Sequence, residues 1–281
     1  MRISLLLFIV LACCFLSGCS SKALRANSFE DPTVLPNMAR IGTSLKDALF
    51  DPYIGFTAGA LVVTAISGKD KKISSYATEH TPVFGSVERA KTASDIFVIT
   101  SAGIAALAYT VKYLPLQEQP DQKSCPVQSE LGIPHRLHVP VAAAEAAAVS
   151  GALTLGTTVL LKRTTGRLRP DSTDTYSFPS AHTAAAAVAN GYSVRTISGM
   201  SLPKTYSYPA YGALTALTFA TAWGRVEGAK HYPTDVLAGA LIGTFFVNAA
   251  YKAFLGPYRR VDNFNLQIAP DGAALTATFG F

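Results

Sequence analysis

Residues 139–162 read VPVAAAEAAAVSGALTLGTTVLLK, and residues 163–170 continue as RTTGRLRP. The first part is an apolar run longer than an ordinary strand, built from Ala, Gly, Leu, Val and Thr around one carboxylate, Glu145. It reads as a helix. The second part ends that helix in a burst of charge: Lys162, Arg163, Arg167 and Arg169 fall within eight residues. Five further segments share the apolar character, at roughly 53–67, 95–114, 180–197, 208–224 and 234–255. Most are bounded by Pro or Gly (Pro52, Gly68, Pro115, Pro140, Pro179, Pro209, Pro233, Gly256). The expected fold is therefore all-α, a six-helix bundle over residues 46–260.

Composition agrees with a packed helical body. Of 281 residues, 49% are hydrophobic and 15% charged, against about 25% charged in an ordinary soluble domain. Such a chain has too little charge and too much apolar surface to stay disordered. The net charge of +6 suits anionic lipid or phosphate. It is too diffuse for nucleic acid, and no basic stripe with interleaved aromatics appears.

Outside the bundle, residues 1–18 (MRISLLLFIVLACCFLSG) read as a secretory signal peptide: one early cation, an apolar run, then small residues. Leu16-Ser17-Gly18-Cys19 resembles a bacterial lipobox, which implies that Cys19 becomes a lipidated first residue. Ser20 after it favours the outer membrane. The expected location is the bacterial cell envelope, facing the periplasm, with the membrane as partner through the N-terminal lipid. Residues 19–45 are polar and punctuated by Pro, and read as a tether. Once Cys13 and Cys14 leave with the signal and Cys19 is acylated, Cys125 is alone and no intrachain disulfide remains. At the other end, Phe264, Leu266 and Ile268 alternate with polar residues, Pro270-Asp271-Gly272 turns, and Leu275, Ala277, Phe279 and Phe281 alternate again. Residues 261–281 are expected to form a β-hairpin packed on the helices.

Length argues against membrane spans. The uncharged stretch Ile96 to Val111 covers roughly 24 Å at about 1.5 Å per residue, short of a hydrocarbon core near 30 Å. Glu145 and Asn248 are costly in lipid. A helical domain outside the bilayer is the expectation.

Three segments carry chemistry. Lys162 to Pro170 is one; taken alone, it also fits a basic helix end that complements the helix dipole. Phe178-Pro179-Ser180-Ala181-His182-Thr183 is the second. Pro179 suits the first helical position, which places Ser180, Ala181 and His182 in a first turn whose free N–H groups can bind an anion. Arg225 to Asp235 is the third: Pro233 starts a helix, His231 precedes it, and Asp235 lies in its first turn. A carboxylate there can take the His231 Nδ1 proton and leave Nε2 as a nucleophile. Lys162, Arg169 and Arg225 can neutralise the nonbridging oxygens of a phosphoryl group.

In order, Lys-x6-Arg-Pro, Pro-Ser-x-His and Arg-x5-His-x3-Asp resemble the three-part signature of the phosphatidic acid phosphatase type 2 superfamily. That superfamily includes lipid phosphate phosphatases, bacterial acid phosphatases and vanadium haloperoxidases. The resemblance is clearest over residues 139–255. It implies phosphate binding by Lys162, Arg169, Ser180, the Ala181 amide and Arg225. It implies His182 as general acid, His231 as the nucleophile that becomes phosphohistidine, and Asp235 as its orienting partner. It implies no metal or other cofactor for phosphatase action, and a phosphorylated lipid or small phosphoester as substrate. Two positions depart from the pattern: Ala181 stands for Gly, and Gly224 for Ser.

Other polar residues read more plainly. His80, His135 and His138 are loop histidines, and Arg163, Arg167 and Lys230 are surface or lipid-facing charges. Tyr232 and Trp223 are core, and Glu145 is either paired to a neighbouring helix or solvated. Competing functions are a vanadium-dependent haloperoxidase and a non-catalytic envelope lipoprotein. A serine hydrolase on Ser180 is disfavoured by the lack of a Gly-x-Ser-x-Gly elbow.

Overall fold

The structure, a computed structural model, describes residues 33, 35–113, 135–200, 202–256, 262–269 and 272–279, with the side chains of 135–138 and of the last two stretches excepted. The signal peptide, Cys19 and Cys125 lie outside the described residues. Eight helices are described: α1 (Met38–Leu49), α2 (Pro52–Ser67), α3 (Asp70–His80), α4 (Val87–Tyr113), α5 (His135–Thr165), α6 (Ala181–Ser198), α7 (Lys204–Glu227) and α8 (Pro233–Leu255). The starts of three follow local rules. Asn37 caps α1 by accepting from the Arg40 amide at 2.8 Å. Asp51 caps α2 ahead of Pro52, and Pro233 opens α8 at a position whose N–H has no helical partner in any case. Pro140 and Pro209, read above as boundaries, lie inside α5 and α7, each of which begins about a turn earlier.

The expected fold class needs correction. The described helices number eight, not six. The extra pair are α1, which begins in the stretch read as a tether and runs past its end, and α3. Both are short and polar on one face, so a search for apolar runs passes over them. The expected hairpin is not part of the helical fold either. Asp262–Ala269 and Gly272–Phe279 pair antiparallel with each other, and no helix makes an extended contact with them. The packed body is all-α.

Small residues set the packing. Gly239 and Gly243 of α8 face the Ser180 and Ala184 carbonyls of α6, and a Cβ on either glycine would stand 2.3 Å from those oxygens. The buried core is dominated by Ala, with Ser and Thr beside it, the composition that lets helices approach closely without a bulky interlock. α8 packs on α1, α2, α5 and α6, while α6 packs on α4, α5, α7 and α8. The contacts also fix direction. Gly199 at the end of α6 meets Lys112 at the end of α4, so these two run parallel, as do α6 and α8. Tyr192 of α6 donates to the Ala143 carbonyl near the start of α5, and Gly224 near the end of α7 meets Ala90 and Ser94 near the start of α4. So α4, α6 and α8 run one way and α5 and α7 the other. The starts of α4, α6 and α8 and the ends of α5 and α7 thus gather at one end of the bundle.

Among the described residues, three helices are long and apolar enough to cross a membrane: Val87–Tyr113, Val139–Thr165 and Pro233–Leu255. α1 and α2, bent by 52° at their junction, make a fourth if taken as one broken span. In the first two, only 17% and 28% of the apolar window is buried against the protein. Ile96, Ile99, Leu107, Leu153, Leu155 and Leu160 are exposed. Exposed apolar side chains along two such long helices are what a lipid-facing surface requires. The uncharged stretch Ile96 to Val111 understates α4, which is 27 residues long, since charges near helix ends can reach the interfaces.

Candidate active site

The three chemical segments meet at the end of the bundle where those helix termini gather. His231 precedes α8 in a turn that starts at Ala229, whose φ of 55° is left-handed. That turn sends the Lys230 and His231 amides back to one acceptor, the Arg225 carbonyl, at 3.0 and 3.1 Å. His231 is thereby clamped beside Arg225, and it is almost wholly buried.

The Nδ1 atom of His231 lies 2.6 Å from the Ser177 carbonyl oxygen. A carbonyl only accepts, so Nδ1 carries the proton and Nε2 keeps its lone pair. Asp235 Oδ2 stands 3.7 Å from the same Nδ1. That is close enough to act by charge and too long for a hydrogen bond. Burial drives the His231 pKa down to about 4, against the pull of Asp235 and with help from Lys162 and Arg225. The imidazole is therefore neutral at pH 7, as a nucleophile requires.

Asp235 is wholly buried and spends its oxygens on scaffolding. It accepts from Ser177 Oγ at 2.5 Å, from the Tyr232 amide at 2.8 Å and from Arg167 Nη1 at 2.5 Å. It thus fixes both chain neighbours of the catalytic geometry: Ser177, whose carbonyl holds the ring, and Tyr232, the next residue after it. Arg167, read from sequence as a surface charge, proves to be the tie between elements. It spans Asp235 and Asp70 of α3, and its guanidinium lies over the Tyr232 ring at 4.2 Å, a cation–π contact. Asp70 in turn accepts from the Thr234 amide and hydroxyl. Lys230 also differs from expectation: it pairs with Asp171 at 2.6 Å. Burial pushes the Asp171 carboxyl up, but the Lys230 ammonium and Thr173 donors outweigh it and hold the pKa near 2.

The predicted phosphate-binding groups surround this histidine. Ser180 is the N-cap of α6 rather than its second residue. Its Oγ accepts from Thr183 Oγ1 at 3.1 Å and the Thr183 amide at 3.4 Å, which leaves its own proton to donate. Among the described residues, the Ala181 and His182 amides meet no protein acceptor, as the opening turn of a helix leaves them. Lys162 Nζ reaches the Tyr176 carbonyl at 2.5 Å. Arg169 pairs through Nε with Asp174 at 2.7 Å and reaches the Lys230 carbonyl at 3.4 Å. Arg225 is buried, and among the described residues its Nε has no hydrogen-bond partner. The methyl of Ala181 borders a small apolar cavity of about 240 Å³ between α5 and α6, lined also by Gly151, Thr154, Thr158, Ala185 and Val188.

His182 sits near the surface, and its partner was not visible in the sequence. Nε2 lies 3.0 Å from Asp95 Oδ1 of α4, and the same oxygen accepts from Arg225 Nη1 at 3.1 Å. Burial and Arg225 lower the His182 pKa, and Asp95 opposes them. Asp95 is the carboxylate at which the uncharged run of α4 begins, and that junction was the available signal.

The remaining candidates stand apart. His80 stacks on Tyr76. The side chains of His135 and His138 lie outside the described residues. Trp223 donates to the buried Glu227 at 2.7 Å, and Glu145 Oε2 is buried without a partner. Among the described residues no group of three His, Cys, Asp or Glu is placed to hold a metal ion.

Comparison with known families gives a match to the PAP2 superfamily over residues 142–258. A search of curated proteins returned no significant match. Among solved structures, the chain is similar to the first transmembrane PAP2 type phosphatidylglycerolphosphate phosphatase from Bacillus subtilis. The two are 19% identical, with a TM-score of 0.36, over 75% of this chain and 93% of that one.

Proposed function

Because residues 142–258 match the PAP2 superfamily, we propose that this chain is a membrane-associated phosphatase that hydrolyses a phosphate monoester or pyrophosphate carried on a lipid, through a phosphohistidine at His231. One observation carries the reading. A buried imidazole has its Nδ1 proton held by the Ser177 carbonyl and its Nε2 free, among Lys162, Arg169 and Arg225.

The chemistry follows from those groups. The substrate phosphate takes hydrogen bonds from the Ala181 and His182 amides, the Ser180 hydroxyl and the three cations, which stabilise the charge on its equatorial oxygens most strongly in the transition state. His231 Nε2 donates its lone pair to phosphorus. The bond to the leaving oxygen breaks with its electron pair going to that oxygen, which takes a proton from His182. Neutral His182 then accepts a proton from water. The resulting hydroxide attacks phosphorus, and the P–N electron pair returns to His231. Both steps balance with the substrate, one water and the two histidines.

The flanks support a lipid substrate. The exposed apolar faces of α4 and α5 run up to the end of the bundle that holds the cations, and the small apolar cavity beside Ala181 begins there. Lipidation at Cys19 and a place in the outer membrane belong to the same proposal. The test is phosphate release by detergent-purified protein from phosphorylated lipids and from water-soluble esters, with acid quenching to look for an acid-labile phosphoprotein. Release with a lipid preference is expected, and the label should be lost in His231→Ala. No release from any ester, or label that survives in that variant, overturns the reading.

A further inference from the structure

We infer that Asp95 of α4 is a positioning residue for the leaving-group step, holding His182 by Nε2 so that Nδ1 is the atom that gives up the proton. The inference rests on the phosphatase reading above and adds a residue outside its three motifs.

The geometry has three parts. Asp95 Oδ1 is shared between His182 Nε2 at 3.0 Å and Arg225 Nη1 at 3.1 Å. One carboxylate oxygen therefore couples the acid to a phosphate-binding guanidinium. A carboxylate accepts, so Nε2 carries a proton in both charge states of the ring. Among the described residues Nδ1 has no partner and is the position left to face substrate.

The second part is how α4 comes so near. A Cβ on Gly224 would lie 3.0 Å from the Ala90 carbonyl and 3.0 Å from Ser94 Cβ. The glycine that departs from the superfamily pattern is thus a site of close approach between α7 and α4. It stands one residue before Arg225 and, across the contact, one residue from Asp95. Ser94 Oγ also reaches Arg225 Nη1 at 3.4 Å. The missing side chain at 224 and the carboxylate at 95 are two sides of one contact.

The third part is electrostatic. Besides Asp95, the charged groups that act on His182 are Arg225 of α7 and Arg169 of the segment after α5, both cations, and both oppose its protonation, as burial does. Among the described residues Asp95 is the one carboxylate acting on it, and it favours the imidazolium that the acid role needs. The reaction balances as before: Nδ1–H passes to the leaving oxygen, and the ring remains neutral, keeping its Nε2–H donated to Asp95.

Leaving-group dependence tests this. A nitrophenolate leaves without help, whereas an alkoxide needs the proton. In Asp95→Asn, kcat/KM for an alkyl phosphate should fall about ten- to a hundredfold more than for nitrophenyl phosphate. The ratio cancels any shared effect through Arg225. The basic limb of the alkyl pH profile should move to lower pH. Asp95→Glu should restore much of both. Gly224→Ser, which removes no charged group, should move both in the same direction by displacing α4. If Asp95→Asn is folded and active with an unchanged ratio and unchanged basic limb, the proposal fails while the phosphatase reading stands. Should Asp95→Asn not fold, an unmoved ratio in Gly224→Ser overturns it equally. Wild-type protein inactive on every ester overturns both readings.

Discussion

The site holds two histidine–aspartate pairs built on opposite plans. His231 and Asp235 are both buried, four residues apart, and joined through a shared scaffold. Asp235 fixes Ser177 and Tyr232, and the Ser177 carbonyl grips the ring. His182 and Asp95 are both accessible, on helices that meet only in the folded bundle, and touch directly at 3.0 Å. The difference fits the tasks proposed for the two histidines. A nucleophile must be neutral and immobile, and burial supplies both. An acid must reload its proton from water, so it needs access and a carboxylate that favours the charged ring.

The comparison breaks most visibly at His231. His231→Ala should lower kcat/KM by at least about a thousandfold and abolish phosphoprotein, measured by single-turnover quench. His182 variants should keep some phosphoprotein from substrates with good leaving groups.

Asp235→Asn comes next, and its effect should appear first in stability. The carboxylate is wholly buried and holds one ion pair and two other donors. Breaking a buried pair costs about 3–5 kcal/mol. Asp95, by contrast, is half exposed, and an exposed pair contributes at most about 1 kcal/mol. Thermal denaturation in detergent should therefore show a large loss in Asp235→Asn and a small one in Asp95→Asn. Equal losses would remove the distinction drawn between scaffold and acid partner.

How much of this was legible depended on distance along the chain. The His231–Asp235 relation is local, four residues across a Pro-marked helix start, and sequence showed both residues. It did not show that a carbonyl 54 residues earlier in the chain, that of Ser177, would be the hydrogen-bond partner, because a backbone acceptor has no residue signature. Asp95 and Arg167 were passed over for a related reason. Each acts across a helix–helix contact, and only the packing of α4 on α7, or α3 on α8, gives it a partner. The apolar helices were legible by composition, whereas polar α1 and α3 were not. The length rule for spans failed at α4 because it was applied to the uncharged stretch and not to the whole helix.

A smaller effect tests the packing that carries both pairs. α6 and α8 bring His182 and Asp235 to one end through the close approach at Gly239, where a Cβ would stand 2.3 Å from the Ser180 carbonyl. Gly239→Ala should cost about 1–3 kcal/mol by overpacking and should lower activity on nitrophenyl and alkyl esters alike, since it moves the whole phosphate cradle. A change selective for the alkyl ester would mean that the seam acts on the acid alone.

The gentlest test is pH. His231 is held down to about 4 by burial, so its protonation should bring the acidic limb of kcat/KM far below the usual imidazole range. His182 must be protonated to act, and burial with Arg225 lowers its pKa as well, so the basic limb should fall on the acid side of 6.5. Activity on an alkyl ester should then peak in acid and decline by several-fold toward neutrality. Stability should run the other way. A group whose folded pKa lies below its unfolded value binds more protons when unfolded, so His231 supports the fold fully above about 6.5 and ever less as pH falls toward about 4. The protein should thus work best on the shoulder where its buried histidine begins to weaken it. An alkyl-ester optimum above neutrality would show that the accessible pair, not the buried one, had been given the wrong charge state.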